Sequence, residues 1–459
     1  MTRVNSATAT GRHRSPSRSR VPWTRFDTWV FSIFGVCALL TRFAWITHPD
    51  DHGSPVFDEK HYVPQAWQML QSTRSVISGG IEDNPGFGLV VHPPTAKRII
   101  AIGEWLFGYG PLGWRFMSAI CGTIVVLLIM DLTRRLTAEP IAVITAGLLS
   151  VCDGVLFLGS RVGMLDIFQT LFIVAAAWAL LIDQERPSGW RWWRFTAGVM
   201  LGLALCVKWS GLYYMAAFGL LTVGLDLWSR KRGLRKVALV DIPGALVHIV
   251  VVPLAMYLLS FRSWFAEETS VYRHRNGDGA LANFLYYQKG VLEFHTSLTT
   301  SGGHEHPWES KPWDWLWAGR PMMYYSAESG DHKAYQMLFG TPPIWWVLVP
   351  VMLWAVWRLV RADGRFVLPV VGFIAGWVPW AIGYDRQMYF FYATAIIPFV
   401  ILALAIIAAD LIRWRWGLLV ISGYLALVAV AFVFWLPIMT GAMIPSDSIN
   451  LRMWLPKWR

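Results

Sequence analysis

"GWRFMSAICGTIVVLLIMDLTRR" runs from Gly113 to Arg135. Between Arg115 and Asp131 no residue is charged, and the run is long enough to cross a bilayer core of about 30 Å as a helix. Two arginines close it, as they do where a span ends on the side of a membrane that collects Lys and Arg. The same pattern recurs along the chain. Apolar spans are expected near 26–46, 113–132, 141–159, 164–182, 195–208, 209–228, 242–260, 343–360, 366–384, 389–410 and 417–437, about eleven in all, the fifth short. With 459 residues, 55% of them hydrophobic, and 28 tryptophans, the chain reads as an all-α polytopic integral membrane protein.

The net charge of +11 does not point to nucleic acid, because the positives cluster in short loops between apolar runs. Those loops carry Arg134 and Arg135, then Arg186, Arg191 and Arg194, then "SRKRGLRK", "RLVRADGR" and "RWRW". They alternate with the other set of loops if the N-terminus is cytoplasmic. Residues 1–25 are then a disordered, basic cytoplasmic tail and 26–459 the transmembrane domain. The first apolar run is too long for a signal-peptide core and has no small-residue cleavage site, so it is expected to remain as a helix. Cys37, Cys121, Cys152 and Cys206 all fall in apolar runs and read as small hydrophobes, neither disulfides nor metal ligands. There is no tandem repeat and no phosphate-cradling GxxxxGK[ST] motif.

The outer face receives the two long connections, 47–112 and 261–341, and the C-terminal 438–459. Long loops in a compact chain usually carry function. "HYVPQAWQML" and "HPPTAKRIIAIGEWLFG" mix aromatic and polar residues as interfacial helices would, with Ile99, Ile100 and Trp105 free to dip into lipid.

The first loop contains "PVFDEKHYVPQAW", which pairs Asp58 with Glu59 amid Pro55, Phe57, Tyr62 and Trp67. In such a partly dehydrated setting one carboxylate can gain a raised pKa and act as a general base. Lys97, Arg98, Arg115, Arg161, Lys208 and Arg386 map to the same outer boundary, against the positive-inside bias. As a group they suit a lipid-linked phosphate, although snorkelling or ion pairing explains any one of them. Asp153 and Asp166 sit in or beside apolar helices, where pairing with Arg161 is the plainer role. In "HTSLTTSGGHEHPWESKPWDWLW", His304 and His306 do not share a helical face and no further ligand set accompanies them, so no metal site is expected. Trp308 and Trp313 fit a surface for acceptor or sugar equally with an interfacial aromatic belt.

"FDEKHYVPQAW" followed by "HPPTAKRII" resembles the first outer loop of the protein O-mannosyltransferases, membrane glycosyltransferases of the GT-C class. "GPLGWRFMSAICG", "SRVGMLDIF", "VKWSGLYY", "HPWESKPWDWLW", "RPMMYY" and "DRQMYFFYATAIIPF" extend the likeness in order across most of the chain. The resemblance implies that Asp58 and Glu59 are the family's acidic motif, with Asp58 the base. It also places His92, Lys97, Arg115, Arg161 and Asp166 in matching positions, with Lys208 and Arg386 completing the phosphate set. The second long loop is too short for the MIR domain of eukaryotic members, which places the chain nearer the bacterial, especially actinobacterial, branch. It further implies polyprenyl-phosphate mannose as donor, unfolded exported Ser/Thr polypeptides near the Sec translocon as acceptors, inversion at the sugar, and an active site outside the plasma membrane. No cofactor is required and a divalent cation is not indicated, since phosphate is already a fair leaving group. Two alternatives stand beside this: a GT-C arabinosyl or aminoarabinosyl transferase acting on glycan or lipid, and a transporter of polyprenyl-linked sugars.

Overall fold

The computed structural model describes residues 21–49, 51–73, 79–81, 89–185, 191–230 and 237–459. The first twenty residues of the basic tail, Arg186 and most of the basic run after Leu227 lie outside them. Helix α1 (Arg25–Phe43) starts in a capping box, with the Asp27 amide donating to Thr24 and the Thr24 amide to the Asp27 carboxylate. After a break come α2 (Glu59–Thr73) and α3 (Thr95–Phe107). Helix α4 (Pro111–Thr137) contains the opening stretch; Pro111 begins it, and Arg134 and Arg135 sit in its last turn, where cations complement the helix dipole.

Helices α5 (Pro140–Cys152) and α6 (Gly154–Gly159) divide the third expected span. The break is Asp153, whose carboxylate accepts the Leu156 amide (2.8 Å) and the Trp345 indole (2.7 Å). It is a buried helix cap, and neither the Arg161 partner nor the site residue the sequence suggested. Gly154 follows because a Cβ there would stand 2.1 Å from the Phe339 carbonyl oxygen. Then come α7 (Asp166–Glu185), α8 (Trp192–Leu205), α9 (Gly211–Arg230) and α10 (Ala238–Ser260). The second half adds α11 (Arg262–Ala266), α12 (Ala280–Ser297), α13 (Pro312–Trp315), α14 (Pro342–Val360), α15 (Val367–Ile382), α16 (Ile397–Leu411), α17 (Gly417–Thr440) and α18 (Ser446–Asn450).

All eleven expected spans coincide with helix. Among the described residues seven helices are long and apolar enough to cross a membrane, and α5, α9 and α16 contribute shorter apolar stretches. Helix α16 is apolar and buried on nearly every side, which marks it as the central post of the bundle. A second, smaller core (Met69, Ile81, Phe261, Trp264, Phe284 and Tyr287 among it) binds the first long loop to the second. The interfacial reading of α2 and α3 needs revision. Tyr62, Met69 and Ile100 are buried, whereas the end of α3, Trp105 to Phe107, turns outward.

A small antiparallel sheet, unannounced by hydropathy, joins β1 (Met322–Ser329), β2 (His332–Leu338) and β3 (Met443–Pro445) in that order. It ties the second long loop to the C-terminal segment. All four cysteines are free, and Cys37 is exposed rather than buried.

Candidate functional site

Adjacent in sequence, Asp58 and Glu59 have opposite surroundings. Glu59 is fully buried, and its carboxylate accepts two hydrogen bonds from Arg115 (2.8 and 2.9 Å). It accepts two more from the amides of Val56 (3.0 Å) and Gly163 (2.7 Å). Arg115 spends its remaining reach on the Ile46 carbonyl (3.0 Å). Glu59 and Arg115 are therefore a bolt joining the first loop to α4 and to the turn before α7. Neither has a free edge for a substrate, which corrects the placing of Arg115 among phosphate ligands.

The bolt leaves Asp58 on the preceding turn, half-buried at a cavity of about 900 Å³. Phe57 holds that turn in a left-handed conformation (φ 48°), stacked on Tyr324 with ring centroids 4.6 Å apart. Burial pushes the Asp58 carboxyl up to about 6, against the opposing pull of His61, Lys208 and the Tyr62 hydroxyl and with Asp166 adding to the rise.

Asp166, Lys208, Lys97, His92 and Arg386 line the same cavity. Lys208 donates to both carboxylate oxygens of Asp166 (2.8 and 2.9 Å) and lies 5.1 Å from the Phe391 ring centre. Lys97, 1% exposed, donates to the His92 carbonyl (2.7 Å), and burial holds its pKa well below the usual lysine range. The His92 imidazole is pushed well below its ordinary value by burial and then by Lys208. Arg386 donates to His295 Nδ1 (3.0 Å) and lies over the rings of Trp380 and Tyr392 (5.4 and 5.9 Å). Among the described residues, Lys97 and Arg386 form no ion pair.

Five other sequence candidates lie outside the cavity lining. Arg161 donates to the carbonyls of Thr41, Arg42 and Trp45 (2.8, 2.9 and 3.2 Å), so it caps the C-terminal end of α1. His306 accepts the Trp308 amide (3.1 Å), and Trp308 lies 4.6 Å beneath the Arg320 guanidinium. Trp313 is exposed beside Tyr384. His304 is joined to the cavity rim through its backbone, its amide donating to the Thr299 carbonyl (3.2 Å) and its carbonyl accepting from Gln387 (3.0 Å). No group of three or more His, Cys, Asp or Glu gathers as metal ligands among the described residues.

Several cavity groups carried no sequence signal that singled them out: Gln169, the aromatic wall of Trp380, Tyr389 and Tyr392, and above all His295. A lone histidine in a polar loop looks like any other. Only its neighbours in space distinguish it.

The chain matches the family profile described as dolichyl-phosphate-mannose-protein mannosyltransferase over residues 91–257. Over 280–458 it matches the C-terminal four-helix transmembrane region of protein-O-mannosyltransferase. It is 47% identical to the polyprenol-phosphate-mannose–protein mannosyltransferase of Corynebacterium glutamicum, across 97% of this chain and 96% of that one. It is 41% identical to the protein of the same description from Mycolicibacterium smegmatis, across 95% and 94%. In fold it resembles the S. cerevisiae protein O-mannosyltransferase Pmt1–Pmt2 complex bound to its sugar donor, with a TM-score of 0.78 at 15% identity over 96% of this chain and 94% of that one. It also resembles ArnT from Cupriavidus metallidurans bound to undecaprenyl phosphate, with a TM-score of 0.56 at 19% identity over 89% and 70%.

Proposed function

Because the chain belongs to the polyprenol-phosphate-mannose–protein mannosyltransferase family, we propose that Asp58 is the general base that activates the acceptor hydroxyl for mannose transfer. The enzyme moves mannose from a polyprenyl-phosphate donor to Ser and Thr hydroxyls of proteins. One observation carries the assignment of Asp58: the Glu59–Arg115 bolt turns its neighbour, a carboxylate with a pKa raised toward neutrality, into a cavity bordered by Lys208, held by Asp166, and by Lys97 and Arg386, which form no ion pair among the described residues.

In this reading the acceptor O–H gives its proton to the Asp58 carboxylate as its oxygen attacks the anomeric carbon. The bond from that carbon to the phosphate oxygen breaks on the opposite face, and the polyprenyl phosphate leaves with the electron pair. The anomeric centre inverts, turning a β-linked donor into an α-mannoside. The donor phosphodiester carries one negative charge and the departing monoester two, so charge accumulates on the phosphate as the reaction proceeds. Lys97, Lys208, Arg386 and a hydrogen bond from His92 meet that growing charge, which favours the transition state over bound donor. Asp166 keeps Lys208 in place.

The alternation of Lys and Arg supports an N-terminus in the cytoplasm and a cavity outside the cytoplasmic membrane. A cavity of about 900 Å³ has room for a sugar and an extended peptide but none for a folded domain. That size suits unfolded exported chains as acceptors.

The test incubates membranes holding the enzyme with labelled polyprenyl-phosphate mannose and a Ser/Thr-rich peptide. Asp58→Asn should lower transfer by about 10² to 10⁴-fold while the protein still accumulates in the membrane. Wild-type transfer by that variant would remove Asp58 from the role. Label on glycan instead of peptide would favour the alternative transferase.

A further inference from the structure

Val91 and His92 line the cavity, Val90 precedes them, and each of the three carbonyls is held by a side chain. The Tyr287 hydroxyl donates to Val90, His295 Nε2 to Val91 (3.2 Å) and Lys97 to His92 (2.7 Å). Two of these donors sit on one helix, α12. His295 is not finished there, because its other nitrogen faces Arg386 Nη2 at 3.0 Å. A guanidinium is always a donor, so Nδ1 must present its lone pair and Nε2 must carry the hydrogen. The two bonds together fix one tautomer. Burial, with Arg386 and Lys208, holds the imidazole pKa near 4, so the ring stays neutral and keeps that lone pair at neutral pH.

We propose that His295 is a positioning residue that aims the Arg386 guanidinium at the donor phosphate. Arg386 enters from the connection between α15 and α16, and the loop it must meet comes from the other half of the chain. His295 joins the two, and its ring packs against His92 with centroids 5.3 Å apart. The acceptor for Arg386 is neutral, so orientation is gained without cancelling the charge. A carboxylate in the same place would hold the guanidinium equally well and neutralise it. Among the described residues, the buried Arg386 Nε has no hydrogen-bond partner, which leaves a donor for a ligand. This inference rests on the reading that Arg386 contacts the donor phosphate.

Two conservative replacements separate the bonds. In His295→Asn the amide oxygen falls near the position of Nδ1 and can still accept from Arg386. In His295→Gln the amide nitrogen falls near Nε2 and can still serve Val91. The enzyme in membranes is assayed for kcat and for KM of donor and peptide separately. His295→Ala and His295→Gln should raise donor KM roughly tenfold, the loss of one hydrogen bond to a charged group, and leave peptide KM unchanged. His295→Asn should stay within about threefold of wild type. In an Arg386→Ala background, itself raised in donor KM, His295→Gln should add nothing further, because the pair acts as a unit.

The reverse order, with Gln rescuing and Asn failing, would make His295 a strut for the Val91 loop and overturn the proposal. Full additivity with Arg386→Ala would overturn it as well. An unchanged donor KM in Arg386→Ala alone would remove the phosphate reading of Arg386, and the proposal with it.

Discussion

Arginines at the two ends of the helix bundle are neutralised in different ways. At the end where α4, α7, α14 and α16 finish, cations meet acids. Arg134 and Arg135 share Asp131 (2.8 and 2.6 Å), Arg135 also reaches Glu185 (2.8 Å), and Arg358 and Arg365 share Asp363 and Asp410 at 2.7 to 2.9 Å. At the cavity end, Arg161 and Lys97 bind carbonyls, and Arg386 binds an imidazole. An ion pair consumes a charge, whereas a carbonyl or an imidazole orients it and leaves it unspent. The first end is therefore built to hold helix ends together and the second to receive an anion. Two ion pairs bring the first style into the second region: the bolt of Glu59 and Arg115, which is structural, and the pair of Asp166 and Lys208 in the cavity wall.

The largest effects are expected from replacing the two adjacent acids in turn. Glu59→Gln leaves Arg115 buried with its charge uncompensated, and the expected loss of stability is about 3–5 kcal/mol. Thermal unfolding in detergent measures it. Asp58→Asn should show no such loss, although its transfer rate collapses. Equal destabilisation by both would mean that the pair acts as one structural unit. A smaller contrast pairs Asp131→Asn with Lys97→Met. The former strips the acid from two arginines and the Trp178 indole, so stability should fall by about 3 kcal/mol while donor KM holds. The latter should raise donor KM about tenfold and leave stability unchanged or improved, since a buried ammonium without an acid is costly to the fold.

How much of this was legible depended on whether the determinant is local. The spans were, because an apolar run of sufficient length is its own evidence, and every expected one coincides with helix. Asp58 and Glu59 were legible as a pair. Their division of labour was not, because it depends on Gly163 and Arg115, far along the chain. Arg115 and Arg161 were placed at the correct boundary but assigned to a ligand. Sequence gives depth in the membrane, while only the structure gives direction, and both point back at the carbonyls that end α1 and begin the first loop. Asp153 is hard to read for the same reason: a helix cap and an ion-pair partner look alike within an apolar run. The sheet escaped because β1 and β2 form a short hairpin inside a long loop, and β3 joins them from more than a hundred residues away.

The smallest effect, and the one that compares the two regions in a single experiment, is titration with acid. The Asp58 carboxyl sits at about 6, raised by burial, so the folded protein binds its proton more tightly than the unfolded chain does. Asp363 at the other end is also penalised by burial, but hydrogen bonds and charge from Arg365 and Arg358 prevail and hold it below the usual carboxylate range. Between pH 7 and pH 5, then, Asp58 loses its charge while Asp363 keeps its own. Transfer should fall with a midpoint near pH 6, because the base must be ionised. The stability cost of burying the Asp58 charge is present above that pH and disappears as the group protonates. Asp58→Asn, which is neutral throughout, should therefore unfold at a higher temperature than wild type at pH 7.5, and the gap should close toward pH 4.5. The ion-paired end should hold until Asp363 titrates, below the ordinary carboxylate value. A constant gap across the range would show that Asp58 ionises as a surface acid does, and the contrast between the two ends would then rest on the cations alone.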